Sequence, residues 1–215
     1  MAENLGLSWQ PMLFAALEPA IDHHFSRLER IELDDESWVD HAPGWVLSPD
    51  GLFQEVVEER EWGQRSRRVY DRKVLEPRLT SQWSKESNQP LVPPLIATMF
   101  GVLSEHYGVV FDSIGFNLYR DGKDSVAWHG DHIHKEIERP IVVLVSLGQP
   151  RRFLLRPKGG GRSRVFTLGG GDLLVTGGLT QRTWEHAVPK VAKAGPRISV
   201  AFRHGLMTAS EADKT

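Results

Sequence analysis

Past Gly108 the apolar residues of this chain stop recurring every three or four positions and begin to recur every second one, in short runs broken by glycine. That change of period constrains the fold more than any other feature, because alternation over four to eight residues is the pattern of a half-buried strand. It predicts strands at 113–119, 141–147, 152–156, 164–167, 172–176, 183–188 and 197–203. Glycine clusters at 159–161, 169–171 and 177–178 supply the turns. Seven short strands with such regular breaks point to a sandwich or barrel, not a parallel α/β sheet. Two helices are expected ahead of them. One runs over 94–107, with a stripe of Leu95, Met99, Val102 and Leu103 and with Gly108 placed for a left-handed cap. The other runs over 19–30, where Pro19 suits a first turn and Ile21, Phe25 and Leu28 share a face.

A length of 215 residues supports one sizeable core but not comfortably two. The chain has no cysteine, which removes disulfides, thiolate metal sites and cysteine nucleophiles; any metal must rest on histidine and carboxylate. The same absence suits a reducing cytoplasm. Residues 1–10 lack a basic stretch followed by an apolar core, and no apolar run approaches the roughly 18 residues a membrane span needs. A soluble, unexported monomer without membrane contact is therefore expected. The net charge of −2 gives no global attraction to a polyanion. Local basic stretches do exist. Between Arg60 and Arg78 seven basic residues face three acidic ones, and from Arg151 to Arg164 there are six basic residues and no acidic one. Each reads equally as a solvated charged face.

The first candidate for chemistry is His129-Gly130-Asp131. On extended backbone, residues two apart point the same way, so an imidazole and a carboxylate converge. His186 lies 57 positions on, within a predicted strand that could pass beside them. Two histidines and one carboxylate make the facial triad of non-haem iron(II), which leaves three octahedral positions open. By itself the pattern is also compatible with ordinary hydrogen bonding. His132 and His134 form a rival pair at the same spacing.

In the stretch 197–203, alternation puts Ile198, Val200 and Phe202 on one face and Arg197, Ser199 and Arg203 on the other. Arginines inside a sheet are costly unless an anion meets them, and a dicarboxylate would do so through bidentate contacts. The alternative is a solvent-exposed face. Asn117 and Tyr119, also two apart, point together as uncharged hydrogen-bonding groups, either structural or ligand-binding.

Taken together and in this order, Asn117-Leu118-Tyr119, His129-Gly130-Asp131, His186 and Arg197-x-Ser199-x-x-x-Arg203 resemble the AlkB-type iron(II)- and 2-oxoglutarate-dependent dioxygenases. The approach to the metal, from Tyr119 through Trp128 to His129, and the run from Arg151 to Arg156 carry the same resemblance, which spans about residues 76–205. It implies a double-stranded β-helix, a jelly-roll-like core in a mainly β protein with flanking helices. Iron(II) would sit on His129, Asp131 and His186 as the catalytic centre, with molecular oxygen as co-reactant. The far carboxylate of 2-oxoglutarate would meet Arg197, helped by Asn117 and Tyr119, and Arg203, with Ser199 nearby, would lie towards the metal. The implied division is an extension with supporting helices over 1–75, a core with a substrate lid over 76–207, and a flexible tail over 208–215.

The implied reaction is oxidative removal of N-alkyl groups from nucleobases such as 1-methyladenine and 3-methylcytosine. 2-Oxoglutarate becomes succinate and the alkyl carbon leaves as formaldehyde. Alkylated DNA, single-stranded or with the base flipped, is the expected substrate. RNA, a protein or a small molecule are the alternatives, and a non-catalytic metal-binding barrel belongs to a different class. The run from Glu76 to Trp83 resembles the lid region, which would put Arg78 and Trp83 near the base or its backbone, with Arg151, Arg152 and Arg156 serving phosphates. After Asp131 this chain has His132-Ile133-His134 where repair members of the family often carry acidic residues.

Overall fold

The computed structural model describes residues 5, 7, 18–69 and 72–205. The expected tail at 208–215 and most of the first seventeen residues lie outside that description. The first elements are β1 (Ala20–Ile21), β2 (Glu29–Glu32), β3 (Ser37–Ala42), β4 (Val46–Leu47), α1 (Pro49–Glu59) and the hairpin β5 (Ser66–Val69) and β6 (Arg72–Leu75). Next come β7 (Leu79–Ser84) and α2 (Pro94–Tyr107). Then follow β8 (Ser113–Tyr119), β9 (Val126–His129), β10 (Val142–Gly148), β11 (Arg151–Pro157), β12 (Arg164–Leu168) and β13 (Leu173–Gly178). A single-turn helix α3 (Thr180–Thr183) leads directly into β14 (Trp184–Val188), and β15 (Arg197–Arg203) completes the order.

Two sheets face each other. The larger is ordered β2-β3-β13-β10-β15-β8-β7 and the smaller β12-β11-β14-β9. From β8 onward successive strands are dealt between them, with β8, β10, β13 and β15 in one and β9, β11, β12 and β14 in the other. Neighbours are antiparallel throughout. This is the double-stranded β-helix expected from the sequence. The central strands β10, β13 and β15 are buried on both faces, so they feed two cores. Ile198, Val200 and Phe202 of β15 pack with Ile114, Phe116 and Leu118 of β8 beneath the helices. Ala201, Tyr119, Leu144 and Leu174 pack between the sheets with Phe153, Leu155, Phe166 and Leu168.

Helix α2 has the expected bounds. Ile96, Met99 and Leu103 are its fully buried residues, with Leu95 and Val102 packed beside them. Gly108 ends it at φ 64°, a left-handed conformation that glycine adopts without penalty, and its N–H caps Ser104 and Glu105 carbonyls. Helix α1, not foreseen, buries Leu52, Phe53, Val56 and Val57 and packs on β10.

The helix expected over 19–30 does not form. Asp22 instead accepts hydrogen bonds from the N–H groups of His24 (3.0 Å) and Ser26 (2.7 Å), and Phe25 takes a positive φ of 50°. An aspartate that captures nearby amides offers the backbone an alternative to the helix. Ile21 and Phe25 are still buried, but from a strand and a turn. Nor does the packing divide at residue 75. β3 pairs with β13 along its whole length, Asp40 opposite Val175, and Val39 is wholly buried between the sheets. The early residues are thus partly strands of the larger sheet. Among the described residues no helix is long and apolar enough to cross a membrane.

Candidate active site

The metal-ligand candidates meet between the sheets. β14 and β9 pair with His186 opposite His129, and Asp131 follows two residues after the end of β9. One ligand atom from each of the three residues lies within 4.8 Å of the others. The imidazole centroids are 4.2 Å apart. His132 and His134 join no such cluster among the described residues.

Each ligand is oriented by a neighbour. His129 Nδ1 lies 2.9 Å from the Ala127 carbonyl oxygen, so Nδ1 carries the proton and Nε2 is left free as a donor atom to a metal. Phe153 stacks on the His186 ring at 5.2 Å between centroids and 26° between planes. Asp131 receives Arg203 Nη2 on Oδ1 at 3.0 Å, while its Oδ2 is buried with no partner among the described residues. Burial alone would push this carboxyl up, but Arg203, with His186 and His129 beside it, holds it down at about 2. Burial, reinforced by His129, depresses His186 to about 3. At neutral pH the site therefore presents one carboxylate and a neutral His186, the protonation states that metal ligation requires. A carboxylate with one unsatisfied oxygen, beside two imidazoles, fits a divalent cation.

The cationic wall is supplied by β15. Arg197 is 1% exposed, and its Nε donates to Ser146 Oγ at 2.9 Å. Among the described residues its Nη1 is buried without an acceptor, as is Arg203 Nε. Burial pulls the Arg197 guanidinium down to about 10, partly offset by Tyr119, whose ring lies 5.4 Å from it. Buried N–H groups left unpaired cost roughly 1–3 kcal/mol each, more when charged, and an anion would satisfy them. Register fixes the companions: Arg197 opposite Tyr119, Ser199 opposite Asn117, Ala201 opposite Gly115. Gly115 matters here, because a Cβ on it would come 2.9 Å from Arg203 Nη1. Its bare backbone is the floor on which that guanidinium lies.

The residues expected to touch substrate are distributed differently. Arg151 points inward, 3% exposed, and donates to the carbonyls of Asp121 (2.9 Å), Asp124 (2.9 Å) and Pro189 (2.8 Å). It is a buried cross-link and not a phosphate contact, because alternation along β11 turns it to the same side as Phe153 and Leu155. Arg152 is exposed on the outer face. Arg156, also outward, pairs with Glu185 at 2.6 Å and stacks over Trp128 at 4.0 Å. Trp83 is likewise corrected to a packing residue: its indole meets Phe100 of α2 edge-on and its Nε1 donates to the Gln89 carbonyl at 2.9 Å. Arg78 donates from Nε to Asn117 Oδ1 at 2.9 Å and pairs with Glu76 at 3.0 Å, which puts it beside the Asn117 and Ser199 register. Three contributors were not anticipated: Ser146, Phe153 and Gly115. Ser146 did leave a signal, as the lone hydroxyl in the apolar run Val142-Val143-Leu144-Val145-Ser146-Leu147.

This geometry agrees with what the chain is similar to. Residues 52–203 match the family described as the 2OG-Fe(II) oxygenase superfamily. The chain belongs to that superfamily, whose metal is Fe(II) and whose cosubstrate is 2-oxoglutarate. The resemblance to the AlkB type is upheld as well. The chain is 32% identical over 183 residues to the human protein named alpha-ketoglutarate-dependent dioxygenase alkB homolog 3, covering 75% of this chain and 64% of that protein. It is 32% identical over 190 residues to DNA oxidative demethylase ALKBH2 of Arabidopsis thaliana, covering 71% and 60%. The matched stretch thus spans less than two thirds of either relative's length. The solved structure of OsALKBH1 shares 15% identity at a TM-score of 0.49, over 67% of this chain and 81% of that one.

Proposed function

We propose that this chain is an Fe(II)/2-oxoglutarate-dependent dioxygenase that oxidatively removes methyl groups from the ring nitrogens of alkylated nucleobases, with DNA as the preferred nucleic acid. The observation that carries the reading is the pairing of an unsatisfied Asp131 Oδ2, set among His129 and His186, with unsatisfied guanidinium N–H groups of Arg197 and Arg203 on the adjoining strand. One feature holds a cation and the other an organic dianion. When bound, iron(II) and 2-oxoglutarate supply oxidation of the N-methyl carbon by molecular oxygen, yielding succinate, carbon dioxide, formaldehyde and the unmethylated base.

The chain's own residues supply geometry and charge. His129, Asp131 and His186 would hold the metal. Arg197, seated by Ser146 and flanked by Tyr119, would anchor the far carboxylate of the cosubstrate. Asn117, Ser199 and Arg203 would line the rest of its length, with Arg78 fixing the Asn117 amide. Phe153 keeps water off the back of His186. No protein general base is needed, since the metal and cosubstrate carry the redox chemistry.

Support for nucleic acid over a protein or small metabolite comes from the hairpin β5–β6. It forms a separate two-stranded sheet ahead of β7 and carries Arg67, Arg68, Arg72 and Lys73 in its sequence. Exposed Arg152 adds a further positive group. Such charge suits phosphate contacts that position a strand without reading it. The names of the relatives, an alkB homolog and a DNA oxidative demethylase, favour the same substrate class.

The test is mass spectrometry of oligonucleotides containing 1-methyladenine or 3-methylcytosine, as DNA and as RNA, incubated with the protein, Fe(II), ascorbate and 2-oxoglutarate. Loss of 14 Da per lesion (roughly one CH2, the net change of demethylation) with stoichiometric succinate supports the proposal. Uncoupled succinate formation without change in either oligonucleotide would direct attention to a protein or small-molecule substrate.

A further inference from the structure

The single turn α3 holds the loop that carries Asp131 through two side chains. Gln181 is 3% exposed and accepts the Asp131 N–H on Oε1 at 3.3 Å. Its Nε2 donates to Thr176 Oγ1 at 2.9 Å, and that hydroxyl donates on to the Val142 carbonyl at 3.3 Å. The amide is thereby locked between the Asp131 backbone and the larger sheet. The next residue, Arg182, donates from Nη1 to the Ile133 carbonyl at 3.0 Å and from Nη2 to the carbonyls of His134 and Ile137, both at 2.6 Å. These short charge-assisted bonds tie residues 133–137 to the same turn.

The placement has a geometric meaning. α3 runs without a break into β14, which presents His186. The turn therefore braces the Asp131 loop with two side chains while its own backbone continues into the strand of the third ligand. We propose that Gln181 and Arg182 are positioning residues of the metal centre, fixing the distance and orientation of Asp131 relative to His186. Neither touches the ligand atoms. They act through the loop, as groups outside a metal's immediate ligands do when they fix ligand orientation. The inference rests on reading His129, Asp131 and His186 as the metal ligands.

Mn(II) titration of the metal-free full-length chain, followed by electron paramagnetic resonance, tests it without requiring turnover. Gln181→Ala and Arg182→Met should each weaken Mn(II) binding by about 10- to 100-fold. Gln181→Glu, which keeps an acceptor for the Asp131 N–H, should recover most of the affinity. Tryptic cleavage after Lys135, in the exposed part of the loop, should accelerate in Arg182→Met even with Mn(II) present. A purely stabilising role would lower the melting temperature and leave Mn(II) affinity of the folded protein unchanged; that result overturns the proposal. Should Arg182→Met fail to fold, the Gln181→Ala and Gln181→Glu pair decides, and equal native affinity in both overturns it. His186→Ala is the control: if it binds Mn(II) as the native chain does, the ligand assignment itself is wrong and the proposal falls with it.

Discussion

Arg203 engages Asp131 through one carboxylate oxygen, Nη2 to Oδ1 at 3.0 Å, and leaves the other oxygen buried and unpaired. The guanidinium thus occupies one oxygen and leaves the other unpaired, besides holding the group ionised. Asp131→Ala should abolish Mn(II) binding and lower turnover of a methylated oligonucleotide at least about 100-fold. It should also strand Arg203 beside two imidazoles. Breaking a buried pair by removing one partner costs about 3–5 kcal/mol; some exposure of Arg203 puts the expected loss near the lower figure, measurable by urea unfolding of the metal-free chain. Retention of metal binding would contradict the assignment.

Arg197 stands in the opposite situation, a buried cation with no ion pair to a carboxylate among the described residues. Without cosubstrate it is a burden on the fold. Arg197→Met should therefore leave the melting temperature of the cosubstrate-free protein no lower than native, since a buried charge exchanged for an apolar side chain of similar volume is often neutral or stabilising. The same change should weaken 2-oxoglutarate binding by about 2–5 kcal/mol, roughly 30-fold or more. The signature is a native chain whose melting temperature rises with added 2-oxoglutarate and a variant whose melting temperature does not. An equal rise in both would remove Arg197 from the cosubstrate site.

Gly115→Ala offers a finer probe. The added methyl would come 2.9 Å from Arg203 Nη1, the far end of a flexible side chain, so the backbone has no reason to move. Global stability should change by less than about 1 kcal/mol. Arg203 must shift, however, and its hold on Asp131 and the metal-proximal end of the cosubstrate should loosen. The KM for 2-oxoglutarate should rise several-fold while the melting temperature stays near native. A parallel loss of both would mean that the strand, not the arginine, had yielded.

Much of this was legible in the sequence because alternation in a two-sided sheet is a strong signal. The helix over 94–107 and the strands at 113–119 and 197–203 have the observed bounds, and the other predicted strands agree within about two residues. The inward row of Arg197, Ser199 and Arg203 followed from period two. The failures have local causes. Ile21, Phe25 and Leu28 carry a helical spacing, yet Asp22 captures the amides that a helix would use. β3 reads Ser-Trp-Val-Asp-His-Ala, and its Asp40 looks like a surface residue until Arg30 pairs with it at 2.7 Å and Tyr107 donates to it at 3.2 Å. Arg151 looked like its neighbours Arg152 and Arg156, and the phase of β11 separates it from them. The partners of Gln181 and Arg182 on the Asp131 loop lie 45 or more positions away, on a path the sequence does not encode locally.

The pH dependence of the metal-free protein follows from two imidazoles held neutral. Burial depresses His186 to about 3, and burial also lowers His204, whose Nε2 accepts the Ile141 N–H at 2.9 Å and so must lack a proton. In the unfolded chain both would titrate near 6.5. Below that value the unfolded state takes up protons that the folded state refuses, so stability falls as the solution is acidified from about pH 6.5 towards the folded values. The slope is at most about 1.4 kcal/mol per pH unit for each imidazole, and solvent screening reduces the share of half-exposed His204. Asp131, held at about 2 against an ordinary 3.8, adds a further loss below about pH 4. Urea midpoints measured between pH 7 and 4.5 should fall steadily for the native chain. They should fall less steeply in His204→Gln, which keeps an acceptor for Ile141 without the titrating ring, and less steeply still in His186→Phe. If all three chains show the same slope, the acid sensitivity arises elsewhere and neither imidazole is held neutral by its surroundings.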